Sequence, residues 1–295
     1  VNYKHYPIVA LLLLVPVFAG FSTRTKFSSP PRFELPPPQK VMALPAPDPA
    51  RLRLRSQSAM VVDRETSQVL FTKNPDEIRP IASITKLMTA MVVLDAHLPM
   101  DQKIKVTEDD VDRIRWSTSR LPVGWTLSRH DLLQLALMAS ENRAAYALSR
   151  AYPGGREAFI DAMNRKAWYL GLDHTYFAGP TGLDGRNVST AQDLVKLVDA
   201  ALKYPTIREM TTTGRYRVRS SVSGRERIFG NSNRLIHNHH WKIGLSKTGY
   251  ILEAGHCLVM EAAIDRRPVI FILLDSQGKY SRIGDALRIR RWMRS

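Results

Sequence analysis

The chain has one cysteine, Cys257, in 295 residues, so neither an internal disulfide nor a multi-cysteine zinc site can hold it together. Acidic residues are also scarce: 27 Asp and Glu stand against 43 Lys and Arg, for a net charge of +16 and a pI near 10.2. This imbalance points to anionic surroundings, whether nucleic acid, lipid or an acidic polymer, without choosing among them. No apolar run reaches the roughly 20 residues that span a bilayer. The longest, Ile8 to Ala19, has twelve. What remains is 44% hydrophobic and 24% charged, which excludes disorder throughout and allows one large domain or two small ones.

The short apolar run follows Lys4 and His5 and ends in Val17-Phe18-Ala19, the pattern of a cleavable secretory signal over residues 1–22. Retention at the membrane through an uncleaved leader is the alternative. Export to the periplasm argues against a nucleic-acid partner. Residues 23–54 carry Pro30, Pro31, Pro36, Pro37, Pro38, Pro45, Pro47 and Pro49, too many for a packed element, and read as a disordered tether of polyproline character. A catalytic domain is expected over 55–295.

Within that domain, two β-rich runs from Ser58 to Thr72 flank the polar turn Arg64-Glu65-Thr66-Ser67 and predict a hairpin. Ile81 to Ala96 predicts a helix that is apolar around most of its circumference, hence buried rather than amphipathic. Helices are also expected over Leu132 to Ala139, Glu157 to Leu170 and Thr190 to Leu202, the last capped by Ser189 or Thr190. Two further hairpins follow, Tyr216 to Arg219 with Glu226 to Phe229, and Cys257 to Ile264 with Pro268 to Leu274. A basic helix over Ile283 to Met293 closes the chain, with Arg288, Arg290, Arg291 and Arg294 read as a solvated face. Strands at both ends with helices between them predict an α+β domain whose antiparallel sheet joins the two ends.

Three short elements carry chemistry. Ser83-Ile84-Thr85-Lys86 places a hydroxyl and an amine three residues apart on one helix face. A lysine ordinarily has a pKa of about 10.4, but burial beside Ile84, Leu87 and Met88 disfavours its charged form and turns it into a base. A second cation nearby would depress it further. Ser140-Glu141-Asn142 follows, offering a hydroxyl for proton relay and an amide that both donates and accepts. Lys247-Thr248-Gly249 comes third, on a strand whose glycine lets another backbone approach closely. A second Ser-x-x-Lys, Ser276 to Lys279, lies at a strand-to-helix junction with no apolar helix to bury its lysine, and reads as a loop.

In this order the three elements resemble the S-x-x-K, S-x-N and K-T-G signature of penicillin-recognising serine acyl-enzymes. The stretches Pro80 to Ala90, Leu137 to Ala145, Asn187 to Ala191 and Ala254 to Met260 are similar to the D-alanyl-D-alanine endopeptidases of the penicillin-binding protein 7 type, over roughly residues 57–292. The resemblance implies a β-lactamase/transpeptidase-like domain, an antiparallel sheet flanked by helices, acting on cross-linked peptides of peptidoglycan and acylated by β-lactams. It implies no cofactor and no metal, and leaves protein partners open. It makes Ser83 the nucleophile, Lys86 its base and Ser140 the proton relay to the leaving amine. Lys247 orients the site, Asn142 and Thr248 hold substrate, Gly249 admits it, and the main-chain N–H groups of Ser83 and Tyr250 form the oxyanion hole. Arg282 stands near the place of an arginine that holds a terminal carboxylate in related carboxypeptidases.

Several other readings compete. A class A β-lactamase needs a Glu-x-x-Leu-Asn loop, absent here. A D,D-carboxypeptidase adds a β-rich domain after the catalytic one, so cross-link cleavage is expected instead. A non-catalytic peptidoglycan binder would have no use for three intact motifs. His237-Asn238-His239-His240 suggests zinc, but without a further ligand at recognisable spacing it reads as a polar loop.

Overall fold

The computed structural model describes residues 47–295; the expected signal, 1–22, and most of the expected tether, 23–54, lie outside them. In chain order the elements are β1 (Ser56–Asp63), β2 (Val69–Lys73), β3 (Arg79–Pro80), α1 (Lys86–Asp95), β4 (Lys103–Lys105), β5 (Thr126–Ser128), α2 (Arg129–Met138), α3 (Asn142–Arg150), α4 (Gly155–Tyr169), β6 (Val188–Ser189), α5 (Ala191–Leu202), α6 (Pro205–Thr212), β7 (Arg215–Arg219), β8 (Glu226–Gly230), β9 (Lys242–Ile251), β10 (Gly255–Ile264), β11 (Arg267–Ser276) and α7 (Ser281–Trp292). The five-stranded antiparallel sheet runs β2-β1-β11-β10-β9, so β1 pairs with β11 and the two ends of the domain meet in one sheet, as expected.

Strand periodicity explains why this sheet is buried on both faces. Met60, Val62, Val259, Ile270 and Ile272 point into the helical core. The alternate residues Ala59, Val61, Leu258, Met260, Phe271 and Leu273 pack under Ala286, Ile289 and Trp292 of α7. Strands covered on both sides need continuous apolar runs, which is what β10 and β11 have. On the helical side α1 is enclosed by its neighbours, and every residue from Lys86 to Val93 is buried.

Three details differ from the sequence reading. The expected helix from Ile81 begins instead with a 3-10 turn, Ala82–Thr85, and turns α-helical at Lys86. The cause is Ala82, whose φ of +45° cannot continue into a helix. Helix α6 was not anticipated, although Pro205 in its first turn and buried Ile207 and Met210 three apart mark it. Packed chain also starts ahead of residue 55: Leu52 and Leu54 are buried, and the Trp292 indole donates to the Asp48 carbonyl at 2.8 Å. The arginines of α7 are partly engaged, Arg288 pairing with Asp285 and Arg290 lying over Trp241.

Asp285 ties the start of the sheet to the last helix. Its carboxylate is inaccessible to solvent and accepts from the N–H of Arg55 (2.9 Å), the N–H of Ser56 (2.8 Å) and the Ser56 hydroxyl (2.6 Å), besides Arg288. Its removal takes the acceptor from the buried Ser56 N–H, from the part-buried Arg55 N–H and from the Ser56 hydroxyl, which keeps only Ser276 as a partner. Urea unfolding of Asp285→Ala should show a loss of about 3 kcal/mol, whereas exposed Arg291→Ala should change stability by less than about 0.5 kcal/mol.

Candidate active site

Two glycines let the turn that carries Ser83 fit where it does. A Cβ on Gly182, whose φ is +79°, would stand 1.8 Å from the Ala82 carbonyl oxygen. A Cβ on Gly249 of β9 would stand 3.0 Å from the Ser83 nitrogen. The turn is therefore clamped between the 178–182 loop and the sheet edge. Asn187 locks that loop: its amide donates to the Gly179 carbonyl (2.7 Å) and the Thr85 hydroxyl (3.0 Å), and its oxygen accepts from the Ala178 N–H (3.0 Å).

Lys86 opens α1 and is completely buried. Its Nζ lies 2.9 Å from Ser83 Oγ, 2.8 Å from Asn142 Oδ1 and 2.7 Å from the Thr181 carbonyl. Burial lowers its pKa to about 7, against the opposing pull of Glu141 and Asp112. Near neutral pH the amine is therefore divided between its two forms. In the neutral form it has two hydrogens and one lone pair. Asn142 Oδ1 and Thr181 O only accept, so they take both hydrogens and the lone pair is left for the Ser83 hydroxyl.

The orientation of Asn142 is in turn imposed from below. The Asp112 carboxylate accepts from the N–H groups of Ile114, Arg115 and Ser117 and from the Ser117 hydroxyl at 2.6 Å. Burial raises its pKa, but these hydrogen bonds outweigh burial and hold it below the usual carboxylate value. Because Ser117 gives its hydrogen to Asp112, it can only accept from Asn142 Nδ2, at 3.2 Å. That leaves Oδ1 facing Lys86. Glu141 is fixed beside it by the Ser119 hydroxyl at 2.6 Å.

A second lysine and serine complete the cleft. Ser140 sits between α2 and α3 with φ +61°, a left-handed conformation rare for serine. Its hydroxyl accepts from buried Lys247 Nζ at 2.9 Å, and the same amine donates to the Thr248 carbonyl at 2.9 Å. Lys247 is held well below its usual pKa by burial, then by the charges of Lys86 and Arg282. For Lys86, by contrast, burial is the depressing cause, not the second cation expected from the sequence. Thr248 donates to Ser232 at 2.9 Å, and the Ser232 N–H reaches the Met138 carbonyl at 2.9 Å, which joins β9 to the end of α2.

Farther along β9, the exposed Tyr250 ring stacks on His256 with centroids 4.3 Å apart. His256 Nδ1 lies 2.6 Å from Arg282 Nη1, in the first turn of α7. The Arg282 Nε is buried with no partner among the described residues. The other Ser-x-x-Lys stays apart from this site: Ser276 is buried at the end of β11 with its hydroxyl 2.6 Å from Ser56, while Lys279 lies over Tyr280. Of the residues singled out in the sequence, Ser83, Lys86, Ser140, Asn142, Lys247, Thr248 and Gly249 converge here, and Tyr250 and Arg282 lie at the adjoining end of β9. Asp112, Ser117, Glu141, Thr181, Asn187 and Ser232 hold them in place. Of these, Glu141 and Asn187 lay in stretches that stood out in the sequence for their likeness to a family; the others did not.

Two buried lysines of depressed pKa, each set against a serine hydroxyl between a largely buried helix and the edge of an antiparallel sheet, define a serine hydrolase of the D-alanyl-D-alanine peptidase class. The model of peptidase family S11, described as D-alanyl-D-alanine carboxypeptidase, matches residues 44–278, and the chain belongs to this family. It is 46% identical to a D-alanyl-D-alanine endopeptidase of Pseudomonas aeruginosa, over 96% of this chain and 88% of that protein. With a D-alanyl-D-alanine endopeptidase of Escherichia coli it shares 48% identity over 81% of this chain and 77% of that one. The crystal structure of the Streptomyces K15 DD-transpeptidase superposes with a TM-score of 0.76 at 30% identity, covering 81% of this chain and 97% of that one.

The chain from Asp112 through Ser117 to Asn142 yields a test. Ser117→Ala frees the Asn142 amide to flip, which presents Nδ2 to Lys86 and removes the acceptor that directs the lone pair. Acylation by a fluorescent penicillin should slow by roughly 10- to 100-fold, in line with the loss of a residue that positions a catalytic group, while the melting temperature stays within a few degrees.

Proposed function

We propose that this protein is a periplasmic serine D,D-endopeptidase that hydrolyses D-alanyl cross-links in peptidoglycan through an acyl-enzyme on Ser83, and that β-lactams acylate the same serine. The reading rests on one observation above all: a lysine with no solvent exposure, its lone pair aimed at a serine hydroxyl 2.9 Å away. Cross-link cleavage, rather than trimming of terminal D-alanine, is supported by the names of the relatives at 46% and 48% identity.

In this scheme Ser83 Oγ attacks the D-alanyl carbonyl as its proton passes to Lys86. The oxyanion is met by the main-chain N–H groups of Ser83 and Tyr250, each such donor contributing about 3 to 4 kcal/mol in other enzymes. Collapse breaks the C–N bond. The leaving amine takes a proton from Ser140, which recovers one from Lys247, 2.9 Å away. Water, deprotonated by the same groups, then releases the acyl chain and restores Ser83. Asn142 and Thr248 hold the peptide, which Gly249 admits along the open edge of β9. Arg282, steadied by His256, receives a carboxylate. Export by residues 1–22 and a spacer of prolines place the domain at its polymer; among the described residues no helix is long and apolar enough to cross a membrane.

Two measurements test this proposal. The neutral form of Lys86 grows as pH rises through about 7, so penicillin acylation should increase over that range. Glu141 opposes the depression, so Glu141→Gln should move the rising limb to lower pH. Lys86→Arg, which stays protonated, should abolish acylation. In the second experiment, purified cross-linked muropeptide dimers should be cut faster than terminal D-alanine is released from pentapeptide monomers. A clear excess for the monomer would make the enzyme a carboxypeptidase.

A further inference from the structure

The β7–β8 hairpin is a one-sidedly charged segment outside the catalytic cleft. Between Arg215 and Gly230 it holds Arg215, Arg217, Arg219, Arg225 and Arg227 against a single acid, Glu226. Like charges collected on a two-stranded ribbon repel one another, and the pairing of Arg217 with Glu226 at 3.3 Å relieves only part of this. Arg219 turns to the Gly224 carbonyl and Arg227 to the Arg120 carbonyl. The guanidinium groups of Arg215 and Arg225 have no partner among the described residues.

This charge borders a concavity. The tip of the hairpin is fastened to the start of β5, where the Ser221 N–H and hydroxyl both donate to the Thr126 carbonyl at 3.0 and 3.1 Å. Between the tip and the segment 122–125 lies an open cavity of about 640 Å³, bordered by Gly124, Trp125, Ser223, Arg225, Glu226 and Arg227. Arg227 is placed over the Trp125 ring at 6.0 Å, so part of the positive wall is rigid before any ligand arrives. The hairpin is also tied to the catalytic cleft from two sides. Arg120, which accepts from Arg227, follows Ser119, the partner of Glu141. Ser232, just beyond β8, accepts from Thr248.

We propose that this hairpin and cavity form a second substrate-binding site, which takes free carboxylates of peptides in the same polymer whose cross-link lies in the catalytic cleft. The inference rests on the peptidoglycan reading above for the identity of that polymer. Guanidinium groups bind carboxylates in paired hydrogen bonds, and several on one rigid ribbon suit a ligand that repeats its acids along a chain. A concavity recessed between the hairpin tip and the 122–125 segment fits a chain of peptide better than a flat bilayer surface, which favours the polymer over anionic lipid. The consequence is a division of labour. The cleft selects the bond, and the hairpin holds the enzyme to insoluble wall material while small soluble substrates ignore it.

The test uses the full chain carrying Ser83→Ala, so that binding is measured without cleavage. Its sedimentation with insoluble peptidoglycan should weaken as salt rises. Adding Arg215→Ser and Arg225→Ser, at two side chains with no partner to lose, should reduce binding by roughly tenfold and flatten the salt dependence. Peptidoglycan whose carboxylates have been converted to amides should lose binding to a similar degree. In the otherwise active enzyme, the two arginine substitutions should leave penicillin acylation unchanged. Undiminished sedimentation of the arginine variant, or undiminished binding to the amidated polymer, overturns the proposal. So does a stronger arginine-dependent association with vesicles of anionic phospholipid than with peptidoglycan. Failure of the catalytic reading would appear separately, as absent penicillin acylation in the enzyme that retains Ser83.

Discussion

The rest of the site depends on keeping one lysine amine out of water. Lys86 lies inside the helical core with three acceptors around it, an arrangement that satisfies an ammonium ion while burial penalises its charge. Burial dominates, and the opposing charges of Glu141 and Asp112 keep the pKa at about 7 rather than letting it fall further. A lysine with fewer acceptors would be neutral but undirected, and one with more water would be protonated and inert. The acceptors decide where the lone pair points, and the core decides that there is one.

That requirement reaches far into the fold. An enclosed α1 needs helices on its sides and a sheet beneath it, and the sheet needs α7 on its other face because its strands are apolar on both. The turn before α1 is squeezed between Gly182 and Gly249, so the loop bearing Thr181 and the strand bearing Lys247 arrive at Ser83 together. Left-handed Ala82 and Ser140 are the local cost of this convergence, each at a position where the chain must change direction within the cleft. Asp112 performs a comparable task at one remove: a buried acid with four donors anchors Ser117, which leaves the Asn142 amide a single workable orientation.

The same physics separates residues that resemble one another in a linear reading. Ser83 and Ser276 each precede a lysine by three positions. Only the first pair enters a core that strips its lysine of water; the second ends a strand, where its hydroxyl joins β1 to β11 through Ser56 and its lysine stays at the surface. The arginines divide likewise. Those of α7, together with Arg294 just beyond it, are in part committed to Asp285, Trp241 and Asp265, whereas the β7–β8 hairpin keeps two without partners among the described residues.

The sequence by itself determined what is local or periodic: the three hairpins, the enclosed helix, the antiparallel sheet joining the ends, and the order of the three motifs. Each is written in neighbouring residues, through alternation, helical spacing or a short string of reactive side chains. The tertiary structure alone decided which groups surround those motifs. Lys86 meets Asn142 and Thr181 across 56 and 95 positions, and Lys247 meets Ser140 across 107. Asp112, Ser117 and Ser232 carry no signature, because in a linear reading a short polar residue in a loop looks alike whether it caps a turn or orients a catalytic amide. The exchange of α-helix for a 3-10 turn at Ser83 was equally hidden, since the left-handed Ala82 before it is packed against Gly182, a residue about a hundred positions away, which no local pattern reveals.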